Sequence, residues 1–206
     1  MRAHKEELIN WTSHAAGLFL GIAGFFILLY NLSIQDSILK VSGVVVYGLS
    51  IIFLYFSSTL YHLISNKKLK RRIKVLDHSA IYIKIAGSYT PFCILIWNQG
   101  GLWLLVLVWA MAIWGVISKV KFKIKNSWLS AVSYLGMGWV AIFAIKPLFD
   151  QLEITGFIFL LAGGLSYSFG VIFFLWEKLP YSHSIWHFFV LGGSIFHYLT
   201  VLFFIV

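Results

Sequence analysis

The chain has 206 residues, 60% hydrophobic and 18% aromatic, with 11% charged and a formal net charge of +9. A soluble domain carries about 25% charge, so at a mean hydropathy of +0.88 there is too little polar surface to coat a water-soluble globule. The basic excess does not point to nucleic acid, because the charges sit in short gaps between long apolar blocks and not on one face of a soluble module. The single cysteine, Cys93, excludes an intramolecular disulfide framework and any multi-cysteine metal site, leaving His and carboxylates as metal ligands.

A helix that crosses a bilayer needs about 20 predominantly apolar residues. Seven such spans are expected, at about 13–34, 40–64, 78–97, 101–119, 127–149, 154–176 and 183–206. Short polar breaks at 33–37, 66–74, 98–101, 119–126, 147–153 and 177–182 separate them, and the whole chain, 1–206, reads as one membrane domain. Arg2 and Lys5 ahead of the first apolar run resemble the start of a signal peptide. That run is longer than the usual core of about 7–15 residues and lacks an A-x-A-like cleavage site, so it is kept as a span. Backbone groups in lipid must be paired internally, which allows only helices or a closed barrel, and continuous apolar runs select helices. The expected fold is an all-α integral membrane protein, a seven-transmembrane helix bundle.

The loop charges alternate. Arg2 and Lys5 in the tail, Lys67, Lys68, Lys70, Arg71, Arg72 and Lys74 in the second loop, Lys119, Lys121, Lys123 and Lys125 in the fourth, and Lys178 in the sixth share one side. The opposite side has only Lys40 and Lys146, and Lys84 lies within the third span. The positive-inside rule then gives a cytoplasmic N-terminus, an outside C-terminus and a multi-pass protein of the cell membrane.

Ionisable groups at membrane depth are costly and mark function by default. In Ser182-H-S-I-W-His187, His183 and His187 are four residues apart, so a helix puts both imidazoles on one face within reach of one metal ion. His62 ends the second span and Asp77 begins the third, which brings three imidazoles and a carboxylate to one end of the bundle. Three neutral His ligands with an open position are a common way to build a catalytic zinc site. Asp77 is the candidate for accepting the proton of the attacking water, or for ligating the metal itself. Ser58, one turn before His62, is placed to orient a ligand, water or substrate carbonyl. The competing reading is a polar interhelical network without metal, since His, Ser and Asp also join helices in lipid.

Other polar residues are expected to be structural. Glu7, Asn10 and His14 share a helical spacing at the start of the first span, where anchoring at the headgroups is favoured over support of the site. His78, about 100° around the helix from Asp77, is expected at the interface. His197 lies ten residues past His187, about 15 Å deeper, and should be a buried hydrogen-bonding group. Lys84, on nearly the same face as Asp77, must face the bundle interior or pair with a polar group. Trp97, Trp103, Trp128 and Trp176 read as an interfacial belt. Gly163, Gly164, Gly192 and Gly193 fit close helix packing, and Pro91 should kink the third span and open space beside it.

The stretches E7-L-I-N-W-T-S-H14, S57-S-T-L-Y-H62, L76-D-H-S-A-I-Y82 continuing into A86-G-S-Y-T-P-F92, and H183-S-I-W-H-F-F189 resemble the hemolysin III family. That family lies within the superfamily of progestin and adipoQ receptors and alkaline ceramidases. The resemblance spans essentially the whole chain and implies a seven-helix fold with a cytoplasmic N-terminus. It also implies zinc held by His62, His183 and His187 beside Asp77. Some members of the superfamily hydrolyse lipid amides, while hemolysin III relatives are associated with cytolysis or membrane lipid homeostasis. The lack of a long N-terminal cytoplasmic domain argues against a receptor role, and Lys84 stands where relatives tend to carry an apolar residue.

The leading expectation is therefore a zinc-dependent hydrolase of a lipid amide or ester, with membrane lipids as its partners and no nucleic acid. A non-enzymatic lipid regulator or sensor with structural zinc is the alternative, and a pore-forming cytolysin is a third. A transporter has no internal repeat or paired broken helices in its favour. Oligomeric state is not legible.

Overall fold

The computed structural model describes residues 2–122 and 126–206; Lys123 and Lys125 of the basic cluster lie outside the described residues, as does the side chain of Arg2. The described chain is helical throughout, with α1 (Arg2–Asn31), α2 (Ile38–Leu63), α3 (Lys67–Leu95), α4 (Gly101–Val120), α5 (Ser127–Trp139), α6 (Ile145–Gln151), α7 (Ile154–Leu175) and α8 (Ser182–Phe204). Short 3-10 turns at Trp97–Gln99 and Val140–Ala144 complete it. Six stretches are long and apolar enough to cross a membrane: α1 from His4, α2, α4, Ser127–Gln151, α7 and α8. The protein is a multi-pass integral membrane protein.

The helix starts follow from their caps. Ser37 accepts from the Lys40 amide ahead of α2, Asn66 from Lys68 and Leu69 ahead of α3, and Asn126 from Leu129 ahead of α5, each pairing an amide that the first turn leaves orphaned. The α3–α4 turn needs Gly100, whose φ of 96° is left-handed and strained for other residues. It also needs Gly101, where a Cβ would fall 2.0 Å from the Cys93 carbonyl oxygen.

Two expected boundaries shift. The basic stretch 66–74, read as a loop, is mostly helix, because Asn66 caps it and Lys and Arg propagate a helix readily. α3 thus has 29 residues, about 43 Å at 1.5 Å each. The fifth span is not one helix: a 3-10 turn separates α5 from α6. Pro147, in the first turn of α6, has no amide to donate, and its ring clashes with the carbonyl four residues earlier.

α1, α2, α3, α7 and α8 enclose a core of Leu28, Val44, Tyr47, Leu54, Tyr55, Val190 and Val201. Tyr82, Val108, Ala112, Tyr134 and Met137 form a second cluster among α3, α4 and α5. Large apolar side chains crowd the outside, among them Phe19, Tyr30, Trp103, Trp128 and Phe143, as expected where lipid is the solvent. α3 carries its polar groups inward: Asp77, Ser79, Lys84, Ser88 and Thr90 are all buried. The first apolar run is packed into the bundle, with Tyr198 on α8 donating to the Gly24 carbonyl at 3.1 Å.

Glycines bring α7 and α8 together. A Cβ on Gly163 would lie 2.1 Å from the His197 ring, and one on Gly193 2.6 Å from Tyr167. Gly192 has only Ser166 Oγ near it, at 3.2 Å, and Gly164 nothing within 4 Å. Gly164 therefore departs from the expected packing role and instead lines a cavity.

Candidate metal centre

His62 falls in the last turn of α2, and His183 and His187 in the first turns of α8. Helical periodicity stacks the latter pair on one face, with ring centroids 4.7 Å apart. The His62 ring lies 5.3 Å from His183 and 5.1 Å from His187. One ligand nitrogen from each falls within 4.8 Å of the others. Tetrahedral zinc with bonds of about 2.0–2.1 Å needs nitrogens about 3.3 Å apart, so small side-chain movements close the set.

The unused nitrogens are fixed from behind. His62 Nδ1 donates to Glu7 Oε2 at 2.7 Å, while Lys70 donates to Glu7 Oε1 at 2.9 Å. A carboxylate only accepts, so the proton is on Nδ1, and Nε2, buried without a partner, carries the lone pair that a metal takes. His187 Nδ1 lies 3.3 Å from the Asn10 carbonyl and 3.4 Å from Ser13 Oγ, which leaves its Nε2 for the site. The Ser184 hydroxyl donates to Asn10 Oδ1 at 2.6 Å, and His14 stacks on His187 with centroids 3.5 Å apart. An orphaned buried imidazole nitrogen within an all-imidazole donor set fits a transition metal such as zinc.

Glu7, Asn10 and His14 thus hold the cluster from α1, which corrects the expectation that they anchor α1 at the headgroups. The signal lies in three polar residues at helical spacing at the start of α1, but their partners are up to 177 residues away. His78 is corrected too. Its Nδ1 is 3.4 Å from Asp77 Oδ2, and it lines the same cavity as Asp77 instead of a separate face. His197 meets expectation, with Nε2 donating to the Leu160 carbonyl at 3.2 Å. So does Lys84, buried and donating to the Tyr167 hydroxyl.

This cavity, of about 240 Å³, opens beside the cluster. Ser58, Asp77, His183 and His187 line one end of it, Lys84 and His197 the other, and Leu54, Phe92, Leu104, Leu160 and Val190 much of its wall. Asp77 is not among the clustered ligand atoms; it faces the same space from α3. Between α5–α6 and α7 the wall reaches the outer surface, where Trp139, Ile142, Ile145 and Leu161 line the cavity and are exposed.

A family model described as Haemolysin-III related matches residues 2–198. Hemolysin-3 of Bacillus cereus is 47% identical over 204 residues, covering 98% of this chain and 93% of that protein. The hemolysin-3 homolog of Bacillus subtilis (strain 168) is 42% identical over 203 residues, covering 98% and 95%. Monocyte to macrophage differentiation factor of Homo sapiens is 30% identical over 207 residues, covering 95% and 83%.

Proposed function

The chain belongs to the haemolysin-III-related family, and we propose that within it this protein is a zinc-dependent hydrolase of a lipid amide or ester. The observation that carries this reading is the triad of His62, His183 and His187, buttressed from behind and set at one end of an apolar cavity. These three imidazoles would hold the zinc. When bound, zinc supplies a Lewis acid for the scissile carbonyl and lowers the pKa of a water to about 7. Asp77 accepts the proton of the attacking water on its carboxylate and returns it to the leaving nitrogen or oxygen. Ser58, on the same wall, orients the carbonyl, and the apolar wall takes the acyl chain and excludes water.

In this reading α3 is a seventh span, counting α5 and α6 as one. Its length suffices, and its low apolarity reflects the basic residues of its first turns together with the polar groups it turns inward. The basic residues of α3's first turns, with Lys5, Lys121 and Lys178, support a cytoplasmic N-terminus and a metal centre on that side of the cell membrane. The C-terminus is outside.

The test is to incubate purified protein with membrane lipid extract and monitor the lipids by mass spectrometry. A free carboxylic acid and its amine or alcohol partner should appear with wild type and not with His187→Ala; activity that persists in a metal-free preparation refutes the proposal. A second reading, zinc as a staple in a non-enzymatic lipid regulator or sensor, draws on the way the cluster joins α2 to α8 and, through Glu7 and Asn10, to α1. It requires metal removal to lower the unfolding temperature while no lipid product ever forms. A cytolytic pore, suggested by the name of the Bacillus cereus relative, requires ion conductance from the purified protein in liposomes.

A further inference from the structure

The first turns of α3 carry Lys67, Lys68, Lys70, Arg71, Arg72 and Lys74, with no acidic residue among them. At about 100° per residue, Lys67, Lys68, Arg71, Arg72 and Lys74 fall within about 160° of the helix circumference, and all five are exposed. Lys70 lies outside this arc, on nearly the face of Asp77. There it donates to Glu7 at 2.9 Å and sits 5.0 Å from the centre of the Tyr61 ring. Among the described residues none of the other five is in an ion pair.

Cations gathered there work against the helix itself. Its N-terminus carries partial positive charge, so basic side chains in the first turns are unfavourable unless a counter-charge lies close. The protein supplies little of it. At this end of the bundle Glu7 is engaged by Lys70 and His62, Asp77 is buried, and Glu6 and Glu177 pair with none of the five.

The place of this arc and its neighbours say what kind of anion fits. α2, long and apolar enough to cross a membrane, ends at Leu63, and only residues 64–66 separate it from Lys67. The basic turns therefore begin at the level of the lipid headgroups. Leu69 and Ile73, one turn apart, form an apolar stripe next to the basic arc, and Leu63 and Leu69 are 51% and 45% exposed. A soluble polyanion would leave these leucines in water, whereas a lipid brings phosphate to the cations and methylenes to the leucines.

We propose that the segment from Lys67 to Lys74 is a docking surface for anionic phospholipid headgroups. Arg71 and Arg72 donate paired N–H bonds to phosphate oxygens, the lysines beside them add attraction, and Leu63 and Leu69 meet the upper part of the acyl chains. The surface is separate from the three histidines and depends on neither zinc nor hydrolysis.

The test is titration of the delipidated protein in neutral detergent with pyrene-labelled phosphatidylglycerol and, separately, with phosphatidylcholine carrying the same label. Each cation near a membrane surface is worth about fivefold in binding, so wild type should prefer phosphatidylglycerol by at least about fivefold. Arg71→Gln/Arg72→Gln should remove most of the preference, and so should Lys67→Gln/Lys68→Gln. Lys40→Gln/Lys146→Gln, which takes the same two charges from the opposite end, should keep it. Equal binding of the two lipids by wild type overturns the proposal with no variant needed. A preference that survives both α3 variants also overturns it, as does one lost equally in the control, which would be an effect of net charge alone. Displacement of the labelled lipid by an equal concentration of glycerol phosphate would assign the surface to a soluble anion and overturn the lipid assignment.

Discussion

Glu7→Gln removes one of the two acceptors that Glu7 presents, and both of them are in use. His62 Nδ1 needs an acceptor at 2.7 Å, and Lys70 uses the other oxygen at 2.9 Å. A glutamine that keeps its oxygen on His62 turns its amide hydrogens toward the Lys70 ammonium. Turned the other way, it presents donors to Nδ1–H, and His62 must change tautomer, which removes the Nε2 lone pair from the metal centre. Partners behind a ligating His are worth about 10–100-fold in metal affinity, or about 1.4–2.7 kcal/mol. The Glu7 side chain is 42% exposed, and solvent screening weakens such pairs, so the loss should lie near the lower end, about tenfold. Competition of the purified protein with a chromophoric chelator for zinc measures it. Wild-type affinity in Glu7→Gln, alongside a loss in His62→Ala, would refute the role given to Glu7.

Asp77→Asn should retain zinc, since the ligand cluster consists of the three histidines, while lowering lipid turnover by about 10²–10⁴-fold, the usual worth of a general base; metal content and product rates measured together check both halves. Gly163→Ala should destabilise by about 1–3 kcal/mol because its Cβ overlaps the His197 ring, whereas Gly164→Ala, facing open space, should be neutral or slightly stabilising; unfolding midpoints in detergent distinguish them. Asn10→Ala leaves the Ser184 hydroxyl without its acceptor and should cost about 0.6–1.7 kcal/mol, the span measured for hydrogen bonds between membrane helices. The same unfolding assay reads it.

Five of the expected spans coincide with single helices of the structure, and the fifth with α5 and α6 together, because long apolar runs admit no other conformation in lipid. The third is harder to bound. Its basic start looks like a loop to any reading that equates charge with exposure, yet Asn66 and a run of good helix formers extend α3 back to Lys67. The break after Trp139 is invisible to apolar periodicity, which does not register a 3-10 turn, although Pro147 stands close by. Helical spacing makes His183 and His187 legible as a pair, and topology adds His62 and Asp77. What spacing cannot convey is which residues of another helix lie behind a ligand. Glu7 meets His62 across 55 positions and Asn10 meets His187 across 177, and α1 on its own gives equal reason to place them at the headgroups. His78 departs from the expected separation for a different reason: the cavity lining takes in this neighbour of Asp77 as well.

Whether three imidazoles from α2 and α8 hold one zinc ion is tested most directly by zinc analysis of the purified protein, combined with X-ray absorption at the zinc edge. About one zinc per chain is expected, with three imidazole nitrogens at about 2.0–2.1 Å, and loss of the metal in each of His62→Ala, His183→Ala and His187→Ala. A folded wild type that takes up no zinc, or His variants that retain it with unchanged coordination, would contradict this assignment.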